Sequence, residues 1–312
     1  MDRIATNTAY SSVLNNLMAA ELAQSNAGNQ ISSNEKAADL KGYGTGAESL
    51  MAMQATNSQV TGYLNNSQLV AAKLSMQDTG LNQVASSASS AIQSITNAIA
   101  TGNGATVMSE LQTEFGNAVQ GLNTQFNGEY VFAGGQVNTQ PVSATSLSDL
   151  TSAPSIASLF HNDNRQIATQ VDQNTSVSTG FLADQVGTPL FTALQSIEAY
   201  NQGPNGPFGA TLTQAQQTFL TQTLATLNTV SSNLNNVVAQ NGLAQAEVTN
   251  TQGALTSQQT MVQGLIGTAT QPDLAQAVTN LQQAQLSIQA AGQVFSALKS
   301  SSLLNTLSTG LA

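Results

Sequence analysis

A heptad near the C-terminus limits what this chain can fold into more than any other feature. Leu274, Leu281, Ile288 and Phe295 recur every seven residues, and Ala277, Ala284, Ala291 and Leu298 follow each by three. A seven-residue apolar repeat gives a helix a seam that has to face another helix, and alanine in alternate layers lets the partner backbone come close. From Val248 to Ala312 only Asp273 and Lys299 are charged. The rest of that helix surface is Gln, Asn, Ser and Thr, so the charged flanks that keep an isolated helix soluble are nearly missing.

The same construction occurs once more. Leu74, Leu81, Ala88 and Ile95 repeat at seven, with Val84, Ala91 and Ala98 beside them, inside a helical pattern running from about Ala47 to Ala100. A third long helix is expected over about Thr213 to Gly264, carrying Phe219, Leu220, Leu224, Leu227, Leu234, Val237 and Val238. Thr101-Gly-Asn-Gly104 turns the chain into a further helix over about Ala105 to Gln125, with Leu111, Phe115 and Leu122 on one side, completing an αα-hairpin. An amphipathic helix over roughly Thr8 to Asn34, with Val13, Leu14, Leu17, Met18 and Ala20 at helical spacing and Ala27 and Ile31 extending the stripe, opens the chain.

Two breaks frame these helices. Lys41-Gly-Tyr-Gly-Thr-Gly46 reads as a hinge, since each glycine costs about 1 kcal/mol in a helix. Gly267 to Pro272 reads as a second one, after which Pro272 and Asp273 suit the start of the final helix. Tyr130-Val-Phe132 between Asn127-Gly128 and Gly134-Gly135 signals a β-hairpin or turn. From Gln136 to about Thr188 helical period is lost, prolines appear, and runs such as Arg165 to Val171 alternate. Helix returns near Pro189 to Tyr200 and is broken by Gly203-Pro-Asn-Gly-Pro207. The expected fold is mainly α: a long helical rod with paired N- and C-terminal coiled-coil helices and a small β-rich inserted domain. Its parts are a terminal coiled-coil assembly domain (1–40 plus 271–312), a helical rod domain (41–135 plus 189–270) and an outer insert (136–188).

Composition narrows the function. Charged residues make up 7% of the 312 positions, against roughly 25% in an ordinary soluble protein. A surface of uncharged amides and hydroxyls neither repels its copies nor demands strict pairing, which favours an assembly component. Six basic against sixteen acidic residues leave no footprint for nucleic-acid phosphates or anionic lipid. With no cysteine, disulfides, thiolate catalysis and Cys-based zinc sites are excluded. No apolar run is long enough to insert in a membrane, and Asn15, Asn16, Glu21 and Gln24 interrupt what could have been a cleaved export signal.

Catalytic and metal-binding patterns are equally thin. The single histidine, His161, lacks the partners a metal ligand needs. Asp163, Asp172 and Asp184 do not follow the spacing of a calcium loop and read as solvated acids. There is no Gly-x-Ser-x-Gly elbow, phosphate loop or His-Glu-x-x-His stretch. Glu110 and Glu114, one turn apart, are expected to face water. No enzyme activity and no cofactor are expected.

Three separated passages carry a family resemblance. They are Arg3-Ile-Ala-Thr6 with Leu14-Asn-Asn-Leu17 and Gln30-Ile-Ser-Ser33; Phe126-Asn-Gly-Glu-Tyr-Val-Phe-Ala-Gly134; and Asp273-Leu-Ala-Gln-Ala277 through Phe295 to Ser302-Leu-Leu304 and Leu307. In this order they resemble the flagellin superfamily of bacterial flagellar axial proteins, most of all its hook-associated proteins of the hook–filament junction, the FlgL type. The chain departs from many relatives after Ser33, where Asn34-Glu-Lys-Ala-Ala-Asp-Leu-Lys-Gly-Tyr-Gly44 replaces a Gly-Lys and an Asp-Asp-Pro stretch.

The resemblance implies a structural adaptor joining hook to filament for motility, exported through the flagellar type III apparatus without a cleaved signal and residing outside the cell. Implied partners are copies of itself in a ring, a first hook-associated protein and flagellin as axial neighbours, and a cytoplasmic chaperone on the C-terminal helix. The alternatives are a flagellin forming the filament itself and, from another class, a surface module whose insert binds a glycan or host receptor. The residues expected to form the assembly and chaperone interface are Leu14, Leu17 and Ile31 opposite Leu274, Leu281, Ile288 and Phe295, with Leu298, Leu303 and Leu304. Because two thin helices bury only one stripe on each other, the chain ends are expected to be mobile in the monomer and to fold against neighbouring subunits.

Overall fold

The protein is seen here as a computed structural model that describes residues 2–308, with side chains described for 8–299. Seven helices carry most of the described chain: α1 (Asp2–Ser33), α2 (Ala47–Thr101), α3 (Val107–Leu122), α4 (Leu147–Ser152), α5 (Ala183–Gln202), α6 (Gln214–Thr270) and α7 (Leu274–Ser308). Two hairpins, β1 (Gln125–Phe126) with β2 (Glu129–Tyr130) and β3 (Ala168–Gln170) with β4 (Ser176–Ser178), are the strands among the described residues. The chain divides into two compact units, residues 59–258 and residues 1–58 with 259–312.

The 59–258 unit holds the main core. On α2, Leu81, Val84, Ala88, Ala91, Ile95 and Ala98 are buried, and they join Val107, Leu111, Phe115, Ala118 and Leu122 of α3 in one cluster. Phe191 of α5 brings its ring centroid within 5.0 Å of Phe115 and 5.3 Å of Phe160, and Leu220, Leu227, Val230 and Leu234 of α6 complete the cluster. Helices α2 and α3 meet backbone to backbone: a Cβ at Gly80 would lie 2.6 Å from the Gly121 carbonyl oxygen, and one at Gly121 would lie 2.7 Å from that of Gly80.

The hairpin expected around Tyr130 forms, with Gln125 opposite Tyr130 and Phe126 opposite Glu129. Its turn uses Asn127 (φ 53°) and Gly128 (φ 83°), the left-handed pair that matches strand twist. Val131, Phe132 and Ala133 then enter the core, and the Ala183 N–H donates to the Phe132 carbonyl at 3.0 Å.

The segment 136–188 contains β structure but is poorer in it than its alternating pattern suggests. β3 and β4 pair over three residues each, Val142 and Phe160 form a single antiparallel bridge, and α4 and a 3₁₀ turn at Ile156–Leu159 lie between those two residues. Helix α2 docks on the hairpin through side chains: Ser67 Oγ donates to the Val171 carbonyl at 3.0 Å, Asn66 Nδ2 to that of Gln170, and Gln77 Nε2 to those of Thr179 (2.6 Å) and Val131 (3.1 Å). The segment also shares its core with the helices. Val142, Leu147, Leu150, Ile156 and Leu159 join the main cluster, while Val171 and Val177 pack with Val70, Leu74 and Val248.

In the other unit the first hinge is a 3₁₀ helix, Leu40–Gly46, kinked where Gly44 takes φ 55°. Asp39 opens it by accepting from the Gly42 N–H at 3.1 Å, and the Lys36 N–H donates to the Thr270 carbonyl at 2.6 Å. The second hinge is shorter than expected. Helix α6 runs through Gly267 to Thr270, a single glycine being a small cost in so long a helix, and the break is confined to Gln271–Asp273. Asp273 then caps α7, its Oδ1 accepting from the Gln276 N–H at 3.0 Å. Charge divides unevenly: ten acidic and two basic residues fall in 59–258, six acidic and four basic in the remainder.

A candidate assembly interface on the terminal helices

On α1 the buried and half-buried side chains include Tyr10, Val13, Leu17, Ala20, Gln24, Ala27 and Ile31, spaced alternately three and four apart. That spacing is a heptad seam. Its counterpart on α7 is Ala277, Leu281, Ala284, Ile288, Ala291 and Leu298. The helices run antiparallel: one groove between them is lined by Val13, Asn16, Ala19 and Ala20 with Ser287, Ala290, Ala291 and Val294, the next by Ala20, Ala23 and Ala27 with Asn280, Gln283 and Ala284.

Tyr10 and Phe295 fix the register. Their rings meet edge to face, centroids 5.5 Å apart at 87°. Counting heptads from that contact sets Leu17 against Ile288, Gln24 against Leu281 and Ile31 against Leu274, with Ala20 and Ala284, then Ala27 and Ala277, in the layers between. Large layers alternate with alanine layers, as the α7 sequence alone implies.

The structure brings Leu17, Ile31, Leu281, Ile288 and Leu298 to the seam, each half-buried. Leu274 and Phe295 border it at 47% and 44% exposure. Leu14 does not belong there. It is 50% exposed and starts a separate stripe with Met18 and Leu22, because the seam uses positions 10, 13 and 17 and leaves 14 on the adjoining face. The side chains of Leu303 and Leu304 lie outside the described residues. The sequence places Val13, Ala20 and Ala27 on the apolar stripe of this helix, but it does not show Tyr10 and Gln24 as seam residues. Their signal was the three-four spacing itself.

Among the described residues, burial on this seam is reached only at Ala20, Ala27, Ala277 and Ala284. A groove of about 560 Å³ stays open beside Ala20 and Ala291, and Val278, Leu286 and Val294 of α7 are 42%, 65% and 48% exposed. The described charges of the two helices are confined to Glu21 and Lys299, so the uncovered faces are apolar and nearly uncharged.

The residues weighed for chemistry serve local structure. His161 is exposed, and its backbone N–H donates to the Pro141 carbonyl at 2.8 Å. Asp163 Oδ1 accepts from the backbone N–H groups of Gly135 (2.8 Å) and Arg165 (3.0 Å), which hold its carboxyl below the usual carboxylate range. Asp184 accepts from Asn162 Nδ2 at 2.8 Å, and Asp172 from the Gln173 N–H at 2.5 Å. Glu110 is exposed and takes a hydrogen bond from the Ser94 hydroxyl, which lowers its pKa. Among the described residues no group of three or more His, Cys, Asp or Glu is placed to hold a metal.

Residues 4–137 match the family model of the bacterial flagellin N-terminal helical region. Among solved structures, a flagellar hook-associated protein from Vibrio parahaemolyticus superposes with a TM-score of 0.58 at 15% identity, over 72% of this chain and 97% of its own. FlgL from Bacillus cereus does so with a TM-score of 0.54 at 14% identity, over 69% and 97%. No curated protein matches in sequence. The fold is thus shared along nearly the whole of both solved structures, and residues 4–137 are similar to the flagellin N-terminal helical region.

Proposed function

We propose that this chain is a non-enzymatic structural adaptor of the bacterial flagellum that joins hook to filament. The observation that carries the reading is the α1–α7 pair: a heptad seam, nearly free of charge, that closes only its alanine layers and leaves an apolar stripe uncovered on each helix. Such a pair is completed by more helices of its own kind, and a FlgL-like fold supplies the setting. The chain acts outside the cell in the flagellar axis, having left by the flagellar type III route. Its neighbours are copies of itself in a ring, the first hook-associated protein on the hook side and flagellin on the filament side. Before export a cytoplasmic chaperone covers α7.

Deletion of the gene tests this reading. Cells should keep hooks and release flagellin monomers into the medium; cells that still bear filaments would refute the junction role, as would purified chain that polymerises alone into long filaments. Hydrogen exchange on the free monomer tests the expected mobility of the ends. Fast exchange across α1 and α7 with slow exchange in α2 and α3 is the expected pattern, and uniform strong protection from Asp273 to Leu307 would remove that part of the proposal.

A further inference from the structure

The chain has seven methionines and neither cysteine nor tryptophan. Thioether sulfur is therefore its softest target for two-electron oxidants. The methionines are not distributed evenly by exposure. Met18, Met51 and Met261 are 51%, 54% and 69% exposed, and all three fall in the unit formed by 1–58 and 259–312. Met76 and Met108, in the other unit, are half-buried against the main core, and Met53 is half-buried as well. Met18 sits between Leu14 and Leu22 in the uncovered stripe of α1, at successive four-residue steps along one face.

We propose that Met18, Met51 and Met261 form an oxidation-sensitive set on the assembly unit, each taking one oxygen from a peroxide-class oxidant and thereby loosening the contacts that unit makes. The inference rests on reading this unit as the part that assembles. In the reaction the methionine sulfur donates a lone pair to one peroxide oxygen, the O–O bond breaks, and the products are the sulfoxide and water. A flexible apolar side chain becomes a polar one in the middle of a stripe that has to be dehydrated on contact, and reduction of the sulfoxide reverses the change.

The test uses the full chain treated with limiting hydrogen peroxide and then quenched. Peptide mass spectrometry should find sulfoxide at Met18, Met51 and Met261 before Met53, Met76 and Met108; oxidation spread evenly over the six would overturn the assignment. Binding is then measured to hooks isolated from the deletion strain. The oxidised chain should bind roughly tenfold more weakly or worse, as expected when the burial of even one methionine is lost. Methionine sulfoxide reductase should restore it. A Met18→Leu, Met51→Leu, Met261→Leu variant with an unchanged thermal transition should bind equally before and after peroxide. Undiminished binding by the oxidised chain, or equal loss by the variant, would sink the proposal. Untreated chain that fails to bind hooks would overturn the junction reading, and with it the effect on assembly, while the order of oxidation is decided by mass spectrometry alone.

Discussion

Gly80 and Gly121 carry a constraint that no pattern of apolar residues reveals. Their carbonyl oxygens stand where each other's side chains would go, so even one methyl group has to push two helices apart. Gly80→Ala should cost about 1–3 kcal/mol, the range for overpacking a core. Gly116→Ala on the same α3 meets nothing within 4 Å and should stabilise by up to about 1 kcal/mol through helix propensity. Urea unfolding of the two variants against wild type checks both signs, and matching midpoints would mean that the crossing is slack. Buried polar residues escaped the sequence for a related reason. Ser67 and Gln77 on α2, and Asn241 on α6, fall at seam spacing and are buried, yet they read as surface. What makes them internal is the backbone they meet. Gln77 serves the Thr179 and Val131 carbonyls, and Asn241 Nδ2 donates to the Leu74 carbonyl at 3.1 Å. Such contacts come from chain segments 54 to 167 positions away, which local periodicity does not report.

At the level of elements, helices with strong seven-residue repeats were legible nearly to their ends. The pattern from Ala47 to Ala100 is α2, Ala47–Thr101, and the Ala105–Gln125 pattern is α3, Val107–Leu122. Elements whose identity depends on tertiary partners were not legible to this degree. The alternating run from Arg165 to Val171 yields a three-residue strand, because the chain turns at Val171, whose N–H donates to the Thr175 carbonyl, while α2 side chains donate to the Gln170 and Val171 carbonyls. The α1–α7 seam lies between these cases. Its α7 half could be listed from the sequence, whereas the α1 half was misplaced by one face at Leu14 and lacked Tyr10. Tyr10 and Phe295 form the layer that fixes register, so a double-mutant cycle on Tyr10→Ala and Phe295→Ala should return a coupling of about 0.5–1.5 kcal/mol. The readout is hydrogen-exchange protection in α1 and α7, and strictly additive losses would show that the rings do not set the register.

For the whole molecule, every member of the two buried apolar clusters lies between residues 59 and 258. A fragment of those residues should therefore keep the cooperative thermal transition of the full chain, shifted by only a few degrees. Scanning calorimetry on fragment and parent decides this, and a fragment without a transition would mean that the terminal helices are needed for the core. This division was only partly legible in the sequence. The breaks at Gly46 and Pro272 are visible as punctuation, but the boundary near residues 58 and 259 falls inside two uninterrupted helices, where composition does not change.

The uneven division of charge also sets how the terminal helices should respond to solvent. Between about 0.01 M and about 1 M salt the screening length falls from about 30 Å to about 3 Å. Contacts made by α1 and α7, whose described charges are only Glu21 and Lys299, present almost nothing for that screening to act on. Their strength should follow the heat capacity of apolar hydration instead, which weakens burial as water is cooled. Chain bound to hooks should survive a salt gradient and be lost in the cold, and release by salt at constant temperature would place its attachment on charged surface elsewhere.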